Sequence, residues 1–535
     1  MEAKAIQICG TGSGVGKSVI AAGLCRIFTQ DGFRVAPFKA QNMSLNSFVT
    51  AGGGEMGRAQ VLQAQACRLE PSCDMNPILL KPATDTGAQV IVRGKPVGNM
   101  TACAYHAYKD KAWGEVLKAF RALKKNFEVV VIEGAGSPAE VNLKPHDIVN
   151  LRMAQAAGAP VVLVGDIDKG GIFAWLIGTL ELLTEKERRM IRGFIINKFR
   201  GDKRLLKPGI GFLEKRTGVK VLGVVPYFKD IRLPEEDSVA LEMRNQKPVT
   251  RNQKKDLIDI AVIKLPHISN FTDFDSLANE PDVRLRYVQE RGELEDADAI
   301  IIPGTKNTIA DLAWLKRSGL AGILLTTLNS HLSTLLIGIC GGYQMLGEKI
   351  RDSYRIESKT KEVAGLGVLP IATRFEEEKV LAQVKALDLD TGLEVSGYEI
   401  HHGRTEYLKP SRAAFEIVER QGKRIKAPDG NMSDDGRTWG TYIHGVFDED
   451  IFRRNFLNRL RGKKGLPLIH RQASRDSDRE LDKLARLLRD NIDIDSLYKI
   501  GGIVLSREGM KYRRSNRPRH REEPCGLLLG RRSDL

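Results

Sequence analysis

The sequence predicts an α/β fold used twice, in two successive domains that each carry a parallel sheet. Three observations predict it. The chain has 535 residues, whereas a single hydrophobic core stops growing near roughly 250–300 residues. Its apolar runs are short and continuous, as in strands buried on both faces of a parallel sheet. Those runs alternate with stretches of helical spacing and end in polar or glycine-rich turns, where ligands of such sheets bind.

The first domain is expected over residues 1–240. Ala5–Cys9 reads as a strand. Ser18–Gln30 follows as a helix, with Val19, Leu24, Ile27 and Phe28 near helical spacing. Val35–Phe38 is another apolar run, ending at Lys39. Val129–Ile132 ends in Glu133-Gly134-Ala135-Gly136, Val161–Val164 in Gly165-Asp166, and Phe194–Ile196 in Asn197-Lys198. Residues 241–256 are polar and basic and read as a linker. The second domain is expected over 257–450. Its strands are Leu257–Ile263, Ala299–Ile302 ending in Pro303-Gly304-Thr305, and Leu335–Ile339 ending at Cys340. Residues 451–499 read as a helical segment of mixed charge. Residues 500–535 read as a basic, disordered tail with little periodicity.

Composition narrows the function. Apolar residues make up 42% and charged residues 28% of the chain, as in a soluble protein, and no apolar run approaches the ~20 residues that span a bilayer. Met1-Glu2-Ala3-Lys4 runs straight into the first strand and leaves no room for a signal peptide. A cytoplasmic enzyme is expected. The seven cysteines include no CxxC pair, which argues against zinc and disulfide frameworks. The net charge is +16, and the stretch from Lys499 onward contributes ten Lys and Arg against four Asp and Glu. The remainder suits ATP and a polycarboxylate substrate; neither nucleic acid nor membrane is expected as a partner.

Gly10-Thr11-Gly12-Ser13-Gly14-Val15-Gly16-Lys17-Ser18 lies between the first strand and the first helix. Glycines let backbone N–H groups converge on phosphate oxygens, and a helix N-terminus adds positive charge. Lys17 can reach the β- and γ-phosphates, and the Ser18 hydroxyl can ligate Mg²⁺. The strict P-loop pattern wants glycine at Thr11; here it stands one residue earlier, at Gly10. A glycine-rich turn without nucleotide is the plain structural alternative. Glu133 at a strand end is a candidate Mg²⁺ ligand, and Asp166 another; each could equally be a turn residue. Lys39 could neutralise a transferring phosphoryl group, although position alone favours a surface lysine. Asn197 could read the adenine edge or simply end a strand.

Gly338-Ile339-Cys340-Gly341-Gly342-Tyr343 follows an apolar strand. Small neighbours permit a sharp strand-to-helix turn that exposes a nucleophile and aims backbone N–H groups at an oxyanion. A buried core cysteine is the alternative, but a core strand would prefer bulky flanks. A thiol nucleophile needs a base. Of nine histidines, His401, His402 and His444 each lie near a glycine after an apolar segment, and spacing alone leaves the three open.

Longer motifs carry a resemblance. GICGGYQMLG, PGTKNT, GYEIHHGRT and GTYIHGVF resemble the glutamine amidotransferase domain of the cobyric/cobyrinic acid synthase family, and GTGSGVGKS, PFKAQNMSLNS, EGAGSPAEVNL and GDIDKGGIF resemble its synthetase domain. Together they span about residues 4–499. QNMSLNS and EGAGSPAEVNL point to the cobyric acid branch. The resemblance implies a dethiobiotin synthetase-like P-loop domain followed by a class I glutamine amidotransferase-like domain. It implies Cys340 as nucleophile and His444 as its base, with Gly341 N–H and the backbone near Gly304 as the oxyanion hole. The glutamate that other amidotransferases of this class place two residues after the histidine is Val446 here, so the partner of His444 stays unassigned. ATP and Mg²⁺ would bind at Gly10, Thr11, Gly12, Gly14, Val15, Gly16, Lys17 and Ser18. The implied substrates are ATP, glutamine and adenosylcobyrinic acid a,c-diamide, amidated at its b, d, e and g carboxylates. The a,c-diamide synthases use the same chemistry on other carboxylates. A ParA/MinD-like ATPase would want lysine at Gly12 and has no use for GICGGYQMLG. A glutaminase serving another protein leaves Lys17 unexplained.

Overall fold

The computed structural model describes residues 3–84, 87–234, 256–294, 296–330, 333–470 and 477–504. Most of the 241–256 stretch, and the tail beyond 504, lie outside them.

The first half is built on β1 (Lys4–Gly10), α1 (Lys17–Gln30), β2 (Val35–Phe38), α2 (Arg58–Ala66), β3 (Val129–Glu133), β4 (Val161–Asp166), β5 (Ile191–Phe199) and β6 (Val221–Pro226). The six strands form one sheet in the order β6-β5-β4-β1-β3-β2, and every neighbouring pair is parallel. Ile6, Ile8, Val131, Val162 and Ile195 are wholly buried, which is why these runs read as apolar without alternation. Parallel strands all present their carboxyl ends on one edge. There β2 delivers Lys39, β3 Glu133, β1 the glycine loop, β4 Asp166 and β5 Asn197.

An insertion between β2 and β3, which the sequence reading missed, departs from this plan. Gln41–Met43, Ile78–Thr84, Gly87–Val92 and Lys95–Thr101 form a four-stranded sheet, and Ser47–Val49 pairs with Glu55–Gly57. Its strands mix buried Asn42, Lys81, Gln89 and Glu55 with buried Ile78, Leu80 and Val90, so the apolar runs there are short and broken by polar side chains.

The second half has β7 (Ile258–Ile263), β8 (Val283–Val288), β9 (Ala299–Ile302), α3 (Thr308–Arg317), β10 (Leu335–Ile339), α4 (Gly341–Leu346), β11 (Ile371–Asp388), β12 (Glu394–Tyr407) and β13 (Thr438–Thr441). Its main sheet runs β8-β7-β9-β10-β13, all parallel, and ends on the antiparallel pair Asn431–Met432. The long antiparallel pair β11 and β12 belongs to a second sheet. It reaches the first half: Lys379 on β11 donates to Glu55 at 2.6 Å, and Gln383 to the Val49 carbonyl at 3.0 Å.

Residues 451–499 do not behave as one unit. α5 (Asp450–Lys463) places Phe452, Phe456, Leu457 and Leu460 in the second core. α6 (Ser477–Asn491) and α7 (Ile494–Gly501) return to the first, where Leu481, Leu484, Leu488 and Leu497 pack with Ile20, Leu24 and Ile27 of α1. Leu481, Leu484, Ala485 and Leu488 form a stripe at helical spacing. Arg26–Asp482 at 2.7 Å and Arg489–Asp31 at 2.7 Å fix the pairing.

Candidate active site

The glycine loop meets Glu133 because β1 and β3 are neighbours, with Ile8 opposite Glu133 in register. The Ser18 hydroxyl donates to Glu133 Oε1 at 2.8 Å, and Lys39 Nζ donates to the same oxygen at 2.9 Å. Gln60 and Gln63 of α2 donate to Oε2 at 3.2 and 2.6 Å. Burial opposes charge on Glu133, but Lys39 and these donors hold its carboxyl below the usual range. Lys39 is therefore no surface lysine; it is 5% exposed. Lys17 Nζ donates to the Gly12 carbonyl at 2.6 Å and the Gly136 carbonyl at 3.2 Å, lying across the loop. Asn197 Nδ2 donates to the Val15 carbonyl at 2.9 Å, and its buried Oδ1 has no hydrogen-bond partner among the described residues. Gly16, at φ 98°, is required there, because an added Cβ would stand 2.1 Å from that amide nitrogen. Asp166 instead pairs with Lys198 at 2.8 Å, and Lys198 also donates to the Gly14 carbonyl at 2.7 Å. Of the three metal candidates, Ser18 and Glu133 touch each other, whereas Asp166 is engaged by Lys198.

Among the described residues no three His, Cys, Asp or Glu side chains cluster as a metal cage. Mg²⁺ needs no such cage. It keeps waters and takes one or two protein oxygens beside substrate phosphates, which a Ser18–Glu133 pair at the loop fits.

In the second half, Cys340 sits at the end of β10 with φ 52° and ψ −107°, where α4 begins. That strained turn requires glycines behind it. A Cβ on Gly342 would lie 1.9 Å from the Ile302 carbonyl oxygen, and one on Gly341 would lie 2.7 Å from the Thr305 side chain. β9 thus brings Gly304 and Thr305 against the elbow. A Cβ on Gly304 would in turn meet the His444 ring at 2.9 Å, and Gly341 and His444 line one cavity with Cys340.

All three candidate histidines line that cavity, and their partners distinguish them. His401 Nδ1 bonds the Gly403 carbonyl at 2.7 Å and stacks on Tyr442. His402 Nδ1 bonds the Glu376 carbonyl at 3.0 Å, and burial with the nearby Lys379 and Lys306 pushes it down to about 4. His444 Nδ1 bonds Asp273 Oδ2 at 2.7 Å, and Gly445 N–H donates to the other Asp273 oxygen at 3.2 Å. Burial opposes the charged ring, yet Asp273 and the adjacent Cys340 raise His444 to about 10. Burial raises Asp273 in turn. In this pair the proton sits on the imidazole, since the carboxylate also takes the Gly445 N–H. Asp273 was not singled out from sequence. It lies on a short turn at Phe271–Phe274, in a stretch with no strand or glycine signal of its own.

A phosphate loop facing a buried carboxylate, and a strained cysteine elbow facing a carboxylate-held histidine, define a class: a nucleotide-binding synthetase joined to a glutamine amidotransferase. The family profile described as the CobQ/CobB/MinD/ParA nucleotide binding domain matches residues 6–240, and that of the CobB/CobQ-like glutamine amidotransferase domain matches residues 259–452. The cobyric acid synthase of Syntrophobacter fumaroxidans is 48% identical over 512 residues, covering 94% of this chain and 99% of its own. That of Pelotomaculum thermopropionicum is 50% identical over 517 residues, covering 94% and 97%. That of Moorella thermoacetica is 49% identical over 514 residues, covering 94% and 98%. The chain belongs to the cobyric acid synthase family and is a glutamine-hydrolysing ligase of cobalamin biosynthesis.

Proposed function

We propose that the protein amidates the b, d, e and g carboxylates of adenosylcobyrinic acid a,c-diamide, consuming one ATP and one glutamine at each step. The observation that carries the reading is the pairing, in one chain, of the Ser18–Glu133 contact at the glycine loop with the Cys340–His444–Asp273 constellation. The two halves solve two chemical problems. A carboxylate lacks a good leaving group, and phosphorylation supplies one. Gly10, Thr11, Gly12, Gly14, Val15, Gly16 and Lys17 hold the triphosphate, and Lys39 adds positive charge beside it. The buried, unpartnered Asn197 Oδ1 is suited to accept from the adenine amino group. Ser18 and Glu133 would hold Mg²⁺, which neutralises charge on the β- and γ-oxygens when bound. Asp166 has a lesser place there, through Lys198 and the loop.

Ammonia, the second requirement, comes from glutamine. The Cys340 thiolate attacks the side-chain amide, Gly341 N–H and the backbone at Gly304 stabilise the oxyanion, and His444 protonates the departing ammonia. Water then cleaves the thioester. Ammonia stays reactive only if it remains unprotonated until it meets the acyl phosphate. The Cys340 cavity is lined in part by Lys81 of the first half, so it opens at the domain boundary rather than into solvent alone. Mass spectrometry of adenosylcobyrinic acid a,c-diamide incubated with the protein, Mg-ATP and glutamine tests the acceptor. Four stepwise amidations are expected; an unchanged mass with both glutamine and ammonium removes this acceptor.

A further inference from the structure

The segment between Lys39 and Ser47 leaves one active site and arrives at the other. At its start, Lys39 donates to Glu133, and Asn42 donates at 3.0 Å to Gln60, which itself donates to Glu133. At its end the segment meets the second domain. Asn46 Oδ1 accepts from the Phe271 N–H at 3.1 Å, and the Ser47 N–H donates to Asn270 Oδ1 at 3.0 Å. Asn46 and Ser47 are each 1% exposed, so these bonds are shielded from water.

What they grip is the turn that carries Asp273. Asn270 has φ 53° and precedes the Phe271–Phe274 turn, and its own side chain does not cap that turn. Asparagine tolerates the left-handed region better than most residues, but the conformation is still held rather than preferred. The cap comes from Asn46, in the other domain. A third bond completes the grip: the Tyr398 hydroxyl donates to the Ser47 carbonyl at 3.1 Å, and the Tyr398 ring stacks on His444 at 5.4 Å between centroids. Both supports of the His444 imidazole, its carboxylate partner and its stacking partner, therefore rest on two residues of the nucleotide-binding half.

We propose that Asn46 and Ser47 are positioning residues for glutamine hydrolysis, holding the Asn270–Asp273 turn and the Tyr398 ring so that His444 faces Cys340. The amidotransferase site is complete only while the synthetase half is docked on it, which confines ammonia release to the state in which the two sites are joined. This rests on the reading of Cys340 and His444 given above.

The test uses the full chain. Asn46→Ala removes the acceptor for Phe271 N–H. Asn270→Gly keeps the left-handed backbone and removes the acceptor for Ser47 N–H. Each is expected to lower kcat for glutamine hydrolysis about tenfold, the worth of roughly one well-placed hydrogen bond. The basic limb of the pH profile should move to lower pH, KM for glutamine in Asn46→Ala should stay near wild type, and ammonium-driven amidation should persist in both. The double variant should lose less than the product of the singles, because the bonds form one clasp. A wild-type kcat and pH profile in the single variants overturns the proposal. So does an equal loss of ammonium-driven amidation, which marks a merely structural role. Cys340→Ala beside them separates the two claims: glutamine hydrolysis surviving in it removes the underlying reading of the site.

Discussion

Asp273 sets the protonation of His444, and that gives the residue scale its sharpest consequence. A ring raised to about 10 stays an imidazolium across neutral pH, so it can protonate departing ammonia. Its proton is gained below that value and lost above it. Glutamine hydrolysis should accordingly fall as pH rises through about 10. In Asp273→Asn the attraction is gone while burial remains, so the same limb should move to lower pH and kcat should drop about 10²-fold or more. A steady-state pH profile of both proteins reads this directly, and an unmoved limb in the variant contradicts it. The glycine loop, Cys340 and a short choice of histidines were legible in the sequence, because each follows an apolar run at a strand end. Asp273, Gln60 and Gln63 were not: they act through contacts 70 or more residues distant in the chain, and no local spacing announces such partners.

At the scale of elements, the strained elbow is the part least tolerant of change. Gly342, in the first turn of α4, lies so close to the Ile302 carbonyl at the end of β9 that alanine forces α4 away from the strand. Gly342→Ala should cost about 1–3 kcal/mol in a denaturant titration and abolish glutamine hydrolysis, while a wild-type melt would show that the elbow can relax. Most of the parallel strands were legible for a physical reason: burial on both faces writes them as uninterrupted apolar runs. β6, β8 and β13 were missed, β8 carrying Arg284 and Arg286 and β13 two threonines. The insertion between β2 and β3 was hidden because its buried apolar residues, such as Ile78, Leu80 and Val90, come in short runs broken by buried polar side chains. Glu55, for example, is wholly buried between Lys81 at 2.7 Å and Lys379 at 2.6 Å. Breaking such a buried pair leaves uncompensated charge, so Glu55→Gln should destabilise the chain by about 3–5 kcal/mol, read from the same titration.

For the whole molecule, the chain crosses between its halves and back. The helical character of residues 451–499 was read from sequence, but neither the apolar stripe of α6 nor its partner was. A stripe states that a face is buried, not against what, and α6 passes over the nearer core to cover α1. Leu488, wholly buried there, should cost about 2–5 kcal/mol when cut to alanine, read as a lower midpoint in the denaturant titration. The same crossing, with the Glu55 and Asn46 contacts, keeps the two active sites in one body. In the proposed division of labour, nitrogen is released at Cys340 and consumed at the glycine loop. Amidation of the corrinoid by Cys340→Ala, followed by mass under glutamine and then under ammonium, tests that most directly. No mass change is expected with glutamine, and wild-type-like stepwise amidation is expected with ammonium. Amidation of the variant by glutamine, or its failure with ammonium, would contradict it.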